Sequence, residues 1–439
     1  MKKYAVLYVS LTMTCVIFLI SHFVSSHGEY ARYFFWKDEI DTGMDFVNSL
    51  AETVDAVPYS RYHSIYPPVA NAYFYALQTM LPDEVKSLIP DTHEEVVGLR
   101  QTGSDLRMHQ SVLLLLVLHS VLSVLSVFCI VVYKFRSCGA PGAMFIGEAA
   151  ILSYGSLYAI ERGNVILLTA GLLMLFLFGY DSLDPGVRSM AYCSLVLSAC
   201  VKIYPAIFGL MLFDGKKHGR ALWIPAAGMT LSGLFLSLAS FCLFGGIKDI
   251  PVFLNNLLAF NSDSGCDLYS RYGMRGIVEH AMSELYKHTG ISLPDHGGIA
   301  DLLLALSIAA LLFSVYTHFR CGDAGYRAAF DLSVIAVLFQ TQSSDYMLCL
   351  FIPVILMLIW NEPEPTQDNA VYFILLLGLV LPYYTRETSD RIDLLVHHVE
   401  VVQFILLFSV GYEFVTACIG MSRHSSHHND MRHFRGCPA

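Results

Sequence analysis

Charge is scarce in this chain. Only 15% of its 439 residues are charged, against about 25% in an average soluble domain. With 55% hydrophobic residues and a mean hydropathy of +0.53, the deficit excludes an ordinary water-soluble globule. No basic excess is present either: the formal charge is -10, spread over both faces of the expected topology, so no nucleic-acid partner is read from it. Zinc-type cysteine spacing is missing, which argues against a metal site built on sulfur. Eleven cysteines occur, and most, such as Cys15, Cys129, Cys193, Cys200, Cys242 and Cys349, sit inside apolar runs as small hydrophobes. Cys266 is the clearest loop cysteine and has no obvious partner. The chain also lacks a DxD pair of aspartates, an ER-retention ending and an Asn-x-Ser/Thr sequon, although the last two absences decide little.

What the chain has is long apolar runs. A helix needs about 20 residues to cross a bilayer. On that measure spans are expected at 4–25, 111–133, 141–159, 164–179, 188–202, 204–214, 221–245, 299–318, 326–342, 346–360, 369–385 and 398–419. The expected fold is therefore an all-α polytopic membrane bundle with about 12 transmembrane helices. The N-terminus resembles a signal peptide, but its apolar core is too long and no clean small-residue site follows; it reads as a retained first span. Segments 188–202 and 204–214 are short and interrupted by Lys202 and Pro205. Broken helices persist in membranes only where protein or a polar cavity receives the freed backbone groups.

Basic residues in short loops set orientation. With Lys2 and Lys3 cytoplasmic, alternation puts Lys134 and Arg136, then Lys216, Lys217 and Arg220, then Arg320 and Arg327 on that side, with the tail arginines Arg423, Arg432 and Arg435. Both termini are then cytoplasmic. The loops 26–110 and 246–298, and the turns carrying Arg162, Lys202 and Asp345, face outward. Residues 1–420 read as a single membrane domain and 421–439 as a mobile, His-rich cytoplasmic tail. In the first outer loop, segment 43–56 has helical character, Tyr66-Pro67-Pro68 is a break, and 69–81 fits an interfacial helix too short to cross.

Several polar groups collect on the outer side. Asp38, Glu39, Asp41 and Asp45 lie within eight residues, and Asp41 and Asp45 would share a helix face. A carboxylate there can act as a general base on a hydroxyl acceptor; a solvated acidic loop accounts for the same spacing. Glu161-Arg162-Gly163-Asn164 reads either as a local ion pair at helix ends or as a polar cluster facing a reaction chamber. Lys202 beside Tyr204 and Pro205 reads either as a snorkelling lysine or as a point charge for a phosphate headgroup. The run from Gln340 to Tyr346, with Ser344 and Asp345, is either a hydrated turn or a sugar-binding rim. Arg271 and Arg275 are surface residues or additional charge for a diphosphate. Tyr383, Tyr384 and Arg386 read as interface anchors, and the histidines of the tail as incidental.

In order along the chain, Met44-Asp45-Phe46, Tyr66-Pro67-Pro68, Arg162-Gly163-Asn164, Lys202 to Pro205, and Ser343-Ser344-Asp345-Tyr346 with Pro353 resemble the motifs of the GT-C class of multispanning glycosyltransferases. Within it the resemblance is to family 87, the polyprenol-phosphate-mannose-dependent mannosyltransferase-like group. It implies a polyprenyl-phosphate sugar donor arriving from the bilayer, a glycan or glycolipid acceptor on the extracytoplasmic face, and inversion at the anomeric carbon. It also implies a bacterial plasma (inner) membrane location. The acceptor's base maps onto Asp45, with Asp41 as the fallback. Positive charge for the leaving phosphate maps onto Lys202, with Arg162 as helper. The donor is already activated, so no cofactor and no metal are expected.

Two other classes compete. A lipid-linked glycan flippase or transporter would carry ionisable residues or discontinuous helices near mid-membrane, with repeat symmetry; here the charged candidates collect at one face and no repeat is visible. A polysaccharide polymerase of the O-antigen type would carry a late arginine-containing outer loop, which 246–298 with Arg271 and Arg275 partly matches.

Overall fold

The computed structural model describes residues 3–25, 42–89, 105–213, 223–262, 272–291, 296–322, 325–340, 344–362, 364–382 and 398–434. Among the described residues all regular structure is helical, with no strand. Helix α1 (Lys3–Ser25) is followed by four short helices, α2 (Met44–Glu52), α3 (Pro58–Tyr62), α4 (Pro68–Gln78) and α5 (Asp83–Lys86). Then come α6 (Gln110–Lys134), α7 (Ala140–Ile151), α8 (Tyr154–Arg162), α9 (Ile166–Gly179) and α10 (Pro185–Val201). A 3₁₀ helix (Tyr204–Phe213) precedes α11 (Trp223–Phe241), α12 (Asp249–Ser262), α13 (Met274–Thr289), α14 (His296–Cys321) and α15 (Gly325–Phe339). A second 3₁₀ helix (Asp345–Leu350) runs into α16 (Phe351–Asn361), then α17 (Gln367–Val380) and α18 (His398–Phe434).

Length and apolarity sort these helices into two shells. Helices α1, α6, α11, α14 and α18 are long and apolar enough to cross a membrane, and between 11% and 33% of each apolar window is buried. Their outward side chains, among them Leu114, Val117, Phe235 and Phe404, are exposed. In water such surface marks an interaction site or an aggregation liability; in lipid it meets its own kind. Inside this ring sit α9, α15, α16 and α17. Every side chain from Phe351 to Ile359 is buried, as are most of α15. Their packing is van der Waals, because lipid tails leave little hydrophobic drive between helices. The protein is a multi-pass membrane protein. The expected spans at 164–179, 188–202, 326–342, 346–360 and 369–385 correspond to the shorter helices α9, α10, α15, α16 and α17. Helix α9, with 14 residues, reaches about 21 Å, short of the ~30 Å hydrocarbon core.

Four expectations change. The span expected at 141–159 is broken: α7 and α8 meet at 61°. The freed carbonyl of Ala150 is taken by Ser153 Oγ at 2.8 Å and Ser156 Oγ at 3.0 Å, which lets the chain turn without an orphaned acceptor. Beyond the break α8 lies tight on the second 3₁₀ helix; a Cβ at Gly155 would stand 2.6 Å from the Cys349 nitrogen. The span expected at 204–214 is 3₁₀ rather than α from Tyr204 to Phe213. Loop 246–298 contains α12 and α13. The tail expected to be mobile continues α18 as far as Phe434.

Candidate functional site

The polar mouth is built where the first-loop helices meet the ends of α8 and α10. Asp45 sits in the first turn of α2, where a carboxylate complements the helix dipole. Its apolar neighbours Met44, Phe46, Val47 and Leu50 are buried, so α2 is fixed by packing and Asp45 is left facing the mouth. The backbone N–H of Gly43 donates to the Glu161 carbonyl at 2.7 Å, tying the start of α2 to the end of α8. Gly163 ends α8 at φ +65°, and a Cβ there would stand 2.6 Å from Phe46 Cβ. Only glycine meets both demands cheaply.

Asp45 is bonded through both oxygens. Arg162 Nη2 donates to Oδ1 at 2.6 Å and Nε to the same oxygen at 3.1 Å. Asn164 Nδ2 donates to Oδ2 at 2.6 Å. The Asn164 carbonyl oxygen in turn accepts the Ile166 N–H at 2.9 Å at the start of α9, so the amide cannot turn over without losing that bond. The Asp45 and Arg162 side chains are 14% and 16% exposed, which favours charge-assisted bonds over the weak pairing of a free surface. Arg162 therefore reaches across 117 residues to Asp45.

Lys202 caps the end of α10 with extended backbone. Its Nζ stands 4.2 Å from the Tyr66 ring centre and 5.8 Å from that of Tyr346, a cation–π cradle. Asp45 lies within electrostatic reach of Lys202, Tyr66 and Tyr346, and Tyr204 within reach of Tyr66 and Tyr346. Burial, with Asp45 second, holds the Tyr66 phenol well above the usual tyrosine range, so it stays neutral. Asp345, buried, accepts a short hydrogen bond from the Tyr272 hydroxyl, and Ser344 beside it is buried as well. Tyr158 and Tyr346 stack with ring centres 6.4 Å apart.

The structure thus brings together Asp45, Arg162, Asn164, Lys202, Tyr66 and Tyr204, with Asp345 adjoining through Tyr346. It does not bring in Arg275, which pairs with Asp301 at 3.1 Å instead. Asp41 and Arg271 lie outside the described residues.

Three contributors escaped the sequence reading. Tyr158 and Tyr272 each join the mouth from a helix or loop whose own sequence shows only an aromatic. Glu52 had a signal: it is seven residues after Asp45, two helical turns along one face. Burial pushes its carboxyl up to about 7, opposed by the Ser64 hydroxyl and reinforced by Asp45. Beneath them His119, buried on α6, bonds Tyr73 at 2.8 Å and lies against Phe46. Among the described residues, no His, Cys, Asp or Glu side chains gather tightly enough at this mouth to hold a metal ion.

A fixed carboxylate beside two cations and a wall of tyrosines is suited to binding an anionic headgroup and taking a proton from a hydroxyl. A family model for glycosyltransferase family 87 matches residues 102–353, more than half of the chain. The matched segment contains Arg162, Asn164, Lys202, Tyr204, Ser344 and Asp345; Asp45 and Tyr66 precede it. No curated protein matches the chain.

Proposed function

The chain belongs to glycosyltransferase family 87, and on that premise we propose that this membrane glycosyltransferase moves a hexose of the mannose type from a polyprenyl-phosphate sugar to a glycan or glycolipid acceptor on the extracytoplasmic face. The observation that carries the reading is the Asp45 carboxylate, held by Arg162 and Asn164 within electrostatic reach of Lys202. The acceptor hydroxyl attacks the anomeric carbon from the side opposite the phosphate. The new C–O bond forms as the C–O bond to phosphate breaks, the hydroxyl proton passes to Asp45, and the configuration inverts. Lys202 meets the charge that grows on the departing polyprenyl phosphate, and Arg162 both orients Asp45 and adds positive potential. General-base action and electrostatic stabilisation then share the barrier. The leaving group is already a good one, so the reading calls for no metal at the mouth.

The family assignment favours this reading over a flippase. A plasma-membrane location with cytoplasmic termini and an outward mouth belongs to the same proposal. It is tested with the full chain in lipid nanodiscs and a panel of radiolabelled polyprenyl-phosphate sugars. Release of polyprenyl phosphate from one hexose donor, with label passing to an added glycan acceptor, is the expected result. Consumption of a nucleotide sugar, with every lipid donor left intact, would overturn it.

A further inference from the structure

A second group of ionisable side chains lies inside the bundle, away from the mouth. His318 comes from α14, Asp331 from α15 and Glu413 from α18, and they are 5%, 0% and 0% exposed. Asp331 stands eight residues, or about 12 Å of helix rise, before the end of α15 that leads to Asp345. We infer that these three residues form a binding site for one divalent transition-metal ion, of the zinc or manganese class.

The spacing is the first argument. His318 Nε2 lies 3.3 Å from Glu413 Oε2 and 3.5 Å from Asp331 Oδ2, and one ligand atom from each residue falls within 4.8 Å of the others. The 3.3 Å contact is a long hydrogen bond, the 3.5 Å one exceeds the usual N–H···O range, and Ser314 Oγ stands 3.1 Å from the same nitrogen. The two carboxylate separations match the ~3.4 Å between neighbouring ligands of a tetrahedral cation with bonds of about 2.1 Å.

The second argument is unmet acceptors. Neither oxygen of Asp331 accepts a hydrogen bond of good geometry, although the Ser314 hydroxyl and His318 Nε2 stand near, and Glu413 Oε1 accepts none; all are sealed from solvent. A buried acceptor without a donor is costly, and a buried carboxylate more so. Two such carboxylates facing one imidazole are what a dication would neutralise. Glu413 Oε2 is meanwhile held by Ser314 Oγ at 3.1 Å and by the Tyr372 hydroxyl at 3.1 Å. Outer hydrogen bonds of this kind orient ligands around a metal.

The third argument is ligand chemistry. One imidazole and two carboxylates, without sulfur, suit zinc, manganese or ferrous iron. An all-oxygen cage would suit calcium, and thiolates would suit copper(I). His318 lies three residues before the end of α14 at Cys321, about 4.5 Å of rise along the helix. The ion would clamp two outer helices, α14 and α18, to the central α15.

The test needs no sugar transfer, so it stands apart from the reading of the mouth. The full chain is purified in nanodiscs without chelator or added metal, and its metal content is measured. About one equivalent of a single divalent transition metal per chain is expected, with chelation lowering Tm and Zn²⁺ or Mn²⁺ restoring it. Asp331→Asn and Glu413→Gln should hold under about a tenth of an equivalent, with a Tm indifferent to chelator. Stripped wild-type protein reloaded with Co²⁺ should show visible d–d absorption that His318→Gln lacks. Should the variants fail to fold, wild-type metal content and the Co²⁺ spectrum decide by themselves. Wild-type protein that carries no stoichiometric metal and takes up neither Zn²⁺, Mn²⁺ nor Co²⁺ would overturn the inference, leaving a metal-free cluster that shares protons. Full metal content in Asp331→Asn and Glu413→Gln would overturn it equally.

Discussion

Two polar clusters in this protein hold carboxylates under opposite conditions. At the mouth, Asp45 and Arg162 keep 14% and 16% of their side chains exposed, and both Asp45 oxygens are bonded. In the bundle, Asp331 and Glu413 are wholly buried, and three of their four oxygens accept no hydrogen bond of good geometry. A site that receives transient substrates has to be stable when empty, so its charges carry their own partners. A site built around a permanent occupant can leave acceptors bare, because the occupant completes them. What separates Asp45 from Asp331 is that both Asp45 oxygens hold full hydrogen bonds and neither Asp331 oxygen does.

The contrast breaks most sharply at Asp45. Asp45→Asn removes the proton acceptor and is expected to lower kcat by about 10³-fold, within the usual range for a general base. The Asn side chain can still accept from Arg162, but its NH2 then faces the Asn164 amide donor, so insertion should be retained with a Tm lower by a few degrees. Asp331→Asn should do the reverse, moving Tm and metal content while leaving turnover per folded molecule within about threefold. Radiolabelled transfer and thermal melts on the same nanodisc samples read both. Full turnover in Asp45→Asn would remove Asp45 from the chemistry.

Lys202 tests the mouth at smaller amplitude. Lys202→Ala is expected to cost roughly 30-fold in kcat/KM for the lipid donor, less than the loss of an oxyanion-type donor in a sealed site because Arg162 remains. The measurement is donor titration at fixed acceptor. Unchanged donor dependence would mean that the amine only lies on Tyr66 and snorkels.

Much of this architecture is legible in the sequence, for reasons that also mark where reading stops. Lys202, Asp345 and Asn164 stand out because each borders an apolar run, where a polar residue is visible by contrast. The break after Ile151 is not visible: no proline marks it, and Ser153 and Ser156, which replace the lost bonds, look like ordinary small helix residues. Arg162 adjoins Glu161 in the chain, so a local pair is the natural expectation, yet its partner lies 117 residues away. His318 and Glu413, 95 residues apart, are each a lone polar residue in a hydrophobic helix. Only tertiary packing turns three such singletons into a cluster. Arg275 shows the same limit at the surface: its partner Asp301 on α14 lies 26 residues away and is not legible from the loop.

Glu52 provides the finest test, because it sits at the mouth but is buried like the inner cluster. Its folded carboxyl titrates at about 7 against an ordinary value of 4.5. Between those values the folded state binds more protons than the unfolded, so Glu52 lowers stability as pH rises through that window and adds no further change above about 7. Glu52→Gln has no proton to lose and keeps an acceptor for Ser64. Its Tm should match wild type below pH 4.5 and exceed it at pH 8 by a few degrees, from a gain on the order of 2 kcal/mol. Taking the difference between variant and wild type cancels the histidines and every other group that titrates in the same range. A Tm difference that stays flat from pH 5 to pH 8 would mean that Glu52 is ionised throughout, and that the first-loop face of the mouth tolerates a second charge beside Asp45.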